Sequence, residues 1–172
     1  MSTATFHLRD ARDDEREAIH DLTLASYEQY ATIMAPSAWA ALRGALVAAL
    51  ASPGPVERIV AEGSDGVLLG SVLLFPPNQG TPDAAGRMAW PELRLLAVAP
   101  AGRGQGVGEA LVRECARRTR AAGFPALGLH TSDSMREAIR LYERLGFQRA
   151  PKYDFRPPGA ELVKGYSLRL EA

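Results

Sequence analysis

Residues 5–9, TFHLR, alternate apolar and polar side chains and run into an acidic cluster, the pattern of a strand that gives way to a helix. A helix is predicted from about Asp13 to Ala31, with Ala18, Leu22, Ala25 and Tyr27 as a ragged inner face. In APSAWAALRGALVAAL, Pro36 and Ser37 signal a second helix start, and Trp39, Leu42, Leu46 and Leu50 recur on one side. Two β-rich runs around Ser64, Asp65 and Gly66 predict a hairpin. PPNQGTPDAAGR, residues 76–87, is short of apolar positions and reads as a loop. PELRLLAV is too short for a helix and is closed by Pro100, so it is a strand that ends where a run of glycines begins. Val107, Leu111 and Cys115 then repeat every four residues on a helix that Gly123 terminates. ALGLHT is another strand, after which Ser132, Asp133 or Ser134 caps a helix with Met135, Ala138, Tyr142 and Leu145 on one face and Gly146 as its stop. The tail predicts a short strand, a Pro-rich turn and a last strand ending near Leu170, whose exposed edge offers pairing to a second copy, a possible homodimer.

The resulting order is βααββ, then βαβα, then ββ. The alternating units imply a partly parallel sheet with helices on its faces, and the hairpin implies an antiparallel half, so the fold class is mixed α/β. At 172 residues the chain fits a single domain, 1–172, with a substantial core. Lys plus Arg and Asp plus Glu both number 20, which leaves no net field toward nucleic acid or an anionic membrane and points to a small-molecule or local partner. No apolar leader segment opens the chain and no stretch approaches the roughly 18 apolar residues of a span, so a cytoplasmic protein is expected. Cys115, the sole cysteine, reads as a small buried hydrophobe. His7, His20 and Cys115 lack metal-ligand spacing, and no metal is expected.

The glycines at 102, 104, 106 and 108 stand between a strand and an apolar, helix-favouring run. That arrangement gathers unpaired backbone N–H groups and the positive end of a helix dipole at one point, an anion site. A tight turn with close helix packing is the plainer reading, although one or two glycines would serve it. A Walker loop needs GxxxxGK[ST], and no lysine is near. A dinucleotide fingerprint starting at Gly104 needs a glycine where Glu109 stands, which argues against a nucleotide-binding redox domain.

The remaining pattern, [Q/R]-x-x-G-x-[G/A], is met by Arg103, Gly106 and Gly108 directly after a strand and a proline. Here the chain closely resembles the GNAT superfamily of acetyl-CoA-dependent N-acetyltransferases. AIRLYERLGF, residues 138–147, resembles the family's second hallmark, a helix bearing a tyrosine and followed by Gly-Phe. Together the motifs and element order cover about residues 56–150, and the preceding helix pair also fits. The resemblance implies a mixed central sheet of about six to seven strands with helices on both faces and splayed parallel strands around the cofactor.

It further implies that the N–H groups of Gly104, Gln105, Gly106, Val107, Gly108 and Glu109 hold the pyrophosphate of acetyl-CoA. The exposed backbone of Leu96, Ala97 and Val98 would pair with pantetheine, and Arg103 would face a phosphate or remain an unpaired surface arginine. The family's asparagine three residues before the alanine of the second motif is Met135 here, which leaves Ser134 as a substitute. Acetyl transfer to a primary amine needs a neutral attacking nitrogen and a proton for the departing thiolate. The resemblance puts Tyr142 beside the coenzyme sulfur, and a phenol stays protonated at neutral pH and able to donate. Its plainer reading is a core tyrosine. Glu92 matches a glutamate that serves some members as general base, against a salt bridge to Arg94 on the same face of a regularly alternating strand. A backbone N–H near Ala97 or Val98 would meet the oxyanion. His130 reads as a proton relay or a hydrogen-bonded strand-end histidine.

The segments SYEQYATIMAPSAW and APKYDFRPPGAEL would line the acceptor channel, with Tyr27, Tyr30, Trp39, Tyr153, Asp154 and Phe155 as an aromatic and acidic wall. A small amine, an amino acid, an antibiotic and a peptide N-terminus all remain open as acceptors. An acyl-CoA-binding regulatory module without catalysis is the competing class.

Overall fold

A computed structural model describes residues 5–81 and 83–171. Seven strands form one sheet in the order β1-β2-β3-β4-β5-β7-β6. They are β1 (Phe6–Asp10), β2 (Glu57–Gly63), β3 (Leu68–Phe75), β4 (Glu92–Val98), β5 (Ala126–Thr131), β6 (Gln148–Arg149) and β7 (Lys164–Arg169). The helices are α1 (Arg16–Tyr27), α2 (Pro36–Leu50), α3 (Val107–Ala121) and α4 (Arg136–Arg144). The element order is the one the hydrophobic pattern predicts, and the fold is mixed α/β.

The expected first helix is divided. Asp13–Glu15 and Glu28–Thr32 are tight 3-10 turns flanking α1, and Glu15 receives the Arg12 N–H at 2.7 Å, which anchors the entry turn. In α2, Pro36 occupies the first turn as expected, but the buried stripe is Ala38, Leu46 and Ala49, with Leu42 and Leu50 partly buried beside it. The α4 cap also differs: Met135 is the capping residue, with no side-chain cap, because its own N–H donates to Ser132 O and turns the chain there.

Two apolar clusters sandwich the sheet. One joins α3 and α4 to it through Leu93, Leu111, Cys115, Leu127, Tyr142 and Phe147; the other joins α1 and α2 to it through Leu46, Leu73, Phe75 and Leu95. Fully buried side chains such as Leu111 and Leu127 each contribute about 1.5–3 kcal/mol of burial. Cys115 is wholly buried and its thiol is pushed up to about 12, as a small core residue should be.

Neighbouring strands are antiparallel except β4 and β5, which run parallel and share only the register pair Glu92 with Gly128. The last strand is not an edge: β7 lies between β5 and the short β6, so the pairing edge expected there is already partly covered. No helix among the described residues is long and apolar enough to cross a membrane.

Candidate active site

The strand β4 carries the break from which the site develops. Leu95 has φ 56°, a left-handed conformation rare for a branched residue, and opposite it the β3 register slips, Ser71 facing Ala97 but Leu73 facing Arg94. One extra residue on β4 makes a bulge. Regular alternation over Glu92–Val98 therefore fails: Leu93, Leu96 and Val98 pack on the α3 side, while Leu95 joins the α1–α2 cluster. The bulge bends β4 away from β5, and pairing stops after Glu92.

Ala99 N–H donates to Leu69 O at 2.9 Å, so Ala97 is turned toward β3 and the backbone groups of Leu96 and Val98 point into the gap. The Val98 carbonyl accepts a hydrogen bond from Ser26 Oγ of α1 at 3.2 Å.

Beyond β4 the chain makes a turn and enters α3 through Gly106, whose φ of 80° is left-handed, as is that of Gly104 at 73°. Among the described residues, none of the backbone N–H groups of 104–109 has an acceptor. They converge at the positive end of a fifteen-residue helix. Gly108 needs no special conformation; a Cβ there would meet Leu141 and Val98 at 3.5 Å, on the wall of the groove itself. The groove has a volume of about 630 Å³ and runs from this loop along the open side of β4 to Tyr142, Tyr27 and Tyr30. Free N–H donors, a glycine whose side chain would intrude, and a splayed strand edge together fit a long ligand bearing phosphates.

Tyr142 is 6% exposed, meets Phe147 edge-on at 5.6 Å between centroids and lines the groove. Burial pushes its phenol well above the ordinary value, so it is a core tyrosine whose hydroxyl stays protonated, on a residue that borders the groove. Glu92 is 1% exposed and does not pair with Arg94. Arg94 lies over the Phe75 ring and its Nη1 donates to the Gly80 carbonyl. Glu92 Oε1 instead stands 2.5 Å from His130 Nδ1, and His130 Nε2 stands 3.0 Å from the Tyr153 carbonyl oxygen. A carbonyl only accepts, so Nε2 carries a hydrogen, and the contact at Nδ1 then needs a proton of its own, on one partner or the other. Glu92 Oε2 has no partner, and buried Gly80 packs so closely on this carboxyl that a Cβ would collide with it.

A second cavity of about 240 Å³ lies on the α2 side of the sheet. Met34, Ala38, Ala41, Leu42 and Phe155 give it apolar walls, and Glu92, Thr131, Ser132 and Glu161 contribute oxygens. It shares Tyr27, Arg94, Leu95, His130, Thr131 and Met135 with the groove, so the two spaces meet where β4 and β5 part.

Of the residues singled out in the sequence, Leu96, Ala97, Val98, Arg103, Gly104, Gly106, Val107, Gly108, Glu109 and Tyr142 all border the groove. The Arg103 N–H donates to Pro100 O at 3.3 Å, but its guanidinium makes no hydrogen bond or ion pair among the described residues, whereas the Glu109 carboxylate is held by Arg113 at 2.9 Å and Arg144 at 3.3 Å. The Gln105 side chain folds back on Ala101 O. Ser134 is not at the groove; its hydroxyl donates to Glu161 Oε1 at 2.5 Å, on the cavity side. The expected acidic wall is also different. Asp154 is committed to Arg149 and the Gly165 N–H, which hold its carboxyl below the ordinary value, and Glu161 faces the cavity instead. Tyr27 and Phe155 do line it; Trp39 and Tyr153 do not. Sequence reasoning passed over Glu161, Thr131 and Ser132, although each lies beside or inside a segment it had marked.

Comparisons agree with this geometry. The family model described as Acetyltransferase (GNAT) family matches residues 12–147. An uncharacterized N-acetyltransferase of Schizosaccharomyces pombe is 32% identical over 106 residues, 60% of this chain and 60% of that protein. The chain spans between 27% and 60% of the length of the curated relatives it matches. A GNAT acetyltransferase structure from Staphylococcus aureus aligns over 97% of this chain and 100% of its own with a TM-score of 0.69 at 13% identity. The structure of a Brucella melitensis GNAT acetyltransferase in complex with acetyl-CoA aligns over 98% and 90% with a TM-score of 0.59 at 25% identity. With a family match across most of its length and the same fold, the chain belongs to the GNAT acetyltransferase family.

Proposed function

We propose that the 172 residues act as one unit that transfers an acetyl group from acetyl-CoA to a primary amine by direct attack in a ternary complex. The observation that carries this reading is the meeting of the groove and the cavity at the parting of β4 and β5, with Glu92 and His130 on one side and Tyr142 on the other. Acetyl-CoA, when bound, supplies a thioester carbonyl activated toward attack. The N–H groups of residues 104–109 hold its phosphates, with Arg103 free to join them, and the Leu96 and Val98 backbone pairs with the pantetheine arm. The Val98 N–H, turned into the gap, donates to the carbonyl oxygen and stabilises the charge that develops there.

Glu92 takes a proton from the acceptor ammonium through Oε2, its one oxygen without a partner among the described residues, and so frees the amine to attack, while His130 fixes the carboxyl through Oε1. As the C–N bond forms and the C–S bond breaks, Tyr142 gives its proton to the departing thiolate, and the second proton that the nitrogen sheds on becoming an amide restores the phenol. Its buried phenol is protonated across the neutral range, so the donor is loaded whenever thiolate leaves. Thiol release from acetyl-CoA across a panel of amines, amino acids, aminoglycosides and short peptides tests the reading. Release that depends on one acceptor class supports it; tight acetyl-CoA binding with no release above the acceptor-free control assigns a binding module instead.

A further inference from the structure

Among the described residues, six buried side-chain polar atoms have no hydrogen-bond partner, and four of them line the single 240 Å³ cavity: Glu92 Oε2, Thr131 Oγ1, Ser132 Oγ and Glu161 Oε2. Thr131 and Ser132 are 4% and 5% exposed, too buried for solvent to satisfy them. The two carboxyl oxygens accept when ionised, and the two hydroxyls can accept as well as donate, so a donor is the one kind of partner that serves all four, and a charged one is favoured beside the carboxyl groups. The four are not equivalent in position. Thr131 borders both the cavity and the groove, as do the neighbours of Glu92, whereas Ser132 and Glu161 border the cavity alone. Between these two polar ends the wall is apolar, formed by Met34, Ala38, Leu42 and Phe155. Ser134 holds Glu161 through Oε1 and leaves Oε2 without a partner among the described residues.

We propose that Glu161 and Ser132 form a second recognition point for the acceptor. The acceptor is then a compact diamine: one nitrogen at Glu92 reacts, an apolar segment packs on α2, and a second ammonium is received by Glu161 and Ser132. This rests on the acetyl-transfer reading for its orientation, and on the cavity alone for its chemistry. Size agrees, since the volume of about 240 Å³ lies just below the roughly 300–1,000 Å³ of ordinary small-molecule pockets and suits a compact acceptor. An acceptor with a carboxylate at its far end would set that charge against Glu161. Arg94, the cation lining the cavity floor, already donates to Gly80 O at the Glu92 end.

The test uses α,ω-diamines, n-alkylamines and ω-amino acids of matched length, roughly three to six carbons to suit the cavity, with acetyl-CoA and the full chain. The best diamine should exceed its monoamine in kcat/KM by about ten- to hundredfold, chiefly through KM, and the amino acid should fall below both. In Glu161→Gln the diamine-to-monoamine ratio should collapse toward unity, and Glu161→Asp should restore part of it. Equal turnover of diamine and monoamine by the wild-type protein overturns the subsite while leaving acetyl transfer intact. If no acceptor releases thiol, calorimetric titration of the same compounds decides: diamine-selective binding upholds the subsite and sinks the transfer reading, and unselective or absent binding overturns the subsite itself.

Discussion

In the proposed transfer two side chains divide the proton traffic, and the environment of each suits it to its part. Under that proposal Tyr142 is the donor, its phenol kept protonated by burial, so Tyr142→Phe should lower kcat by the order of a hundredfold and leave the KM for acetyl-CoA nearly unchanged. A phenylalanine variant with wild-type kcat would remove the hydroxyl from the mechanism. Glu92 is the proposed acceptor, held by His130 at 2.5 Å. Glu92→Gln should depress the rate most at the lower end of the pH profile, where the free amine is scarce, and His130→Ala, which frees the carboxyl to turn, should give a smaller loss in the same pH region. A flat response in both would return the pair to a structural contact. The placement of Tyr142 at the groove and Glu92 at the cavity was legible in the sequence because each sits at a fixed step from a motif, one in a tyrosine-bearing helix before Gly-Phe and the other six residues before the strand's closing valine. Glu161 was not, because nothing periodic surrounds it. Only the return of residues 154–163 beneath α2 brings it to the cavity, and a local pattern does not encode that contact.

At the scale of elements, a glycine-rich entry to α3 and a bulged β4 do the positioning. Gly106 is required by its left-handed φ of 80°, but Gly108 is not required by the fold, since a Cβ there meets its neighbours at ordinary distances. Gly108→Ala should therefore hold or raise the melting temperature, as alanine is favoured in a helix by about 1 kcal/mol, while raising the KM for acetyl-CoA about tenfold by intruding on the groove. Loss of stability with unchanged KM would mean that the glycine serves packing and not a ligand. Strands and helices emerged in the right order from periodicity alone, and the hairpin around Gly66 from its turn residues. The bulge did not. ELRLLAV reads as regular alternation, and the slip at Leu95 is imposed by the two apolar clusters, which claim Leu93 for one face of the sheet and Leu95 for the other. The α4 cap was missed for a related reason: three capping residues precede the helix, and none of their side chains caps it.

At the scale of the molecule, the sheet is tied at its β1 end by buried and half-buried ion pairs that respond to acid. Hydrogen bonds from Arg9 hold Glu15 from its usual 4.5 down to about 2, and those of Arg117 and Arg118 hold Glu114 similarly at about 2. A carboxyl depressed in the folded state stabilises it above the unfolded value and loses that contribution as pH falls toward the folded one. The urea midpoint should accordingly be steady above about pH 5 and decline from there toward pH 2, and Glu15→Gln should flatten part of that decline. An unchanged slope would show that these pairs do not couple to folding. Family membership was legible in two motifs, whereas the junction of groove and cavity depends on β4 and β5 parting after one register pair, a property of the whole sheet. The most direct test of that junction is thiol release from acetyl-CoA by the full chain with and without a primary amine. The account predicts release that requires the amine and that falls by about a hundredfold in Tyr142→Phe. Acetyl-CoA bound at the groove with no amine-dependent release from any acceptor class would contradict it.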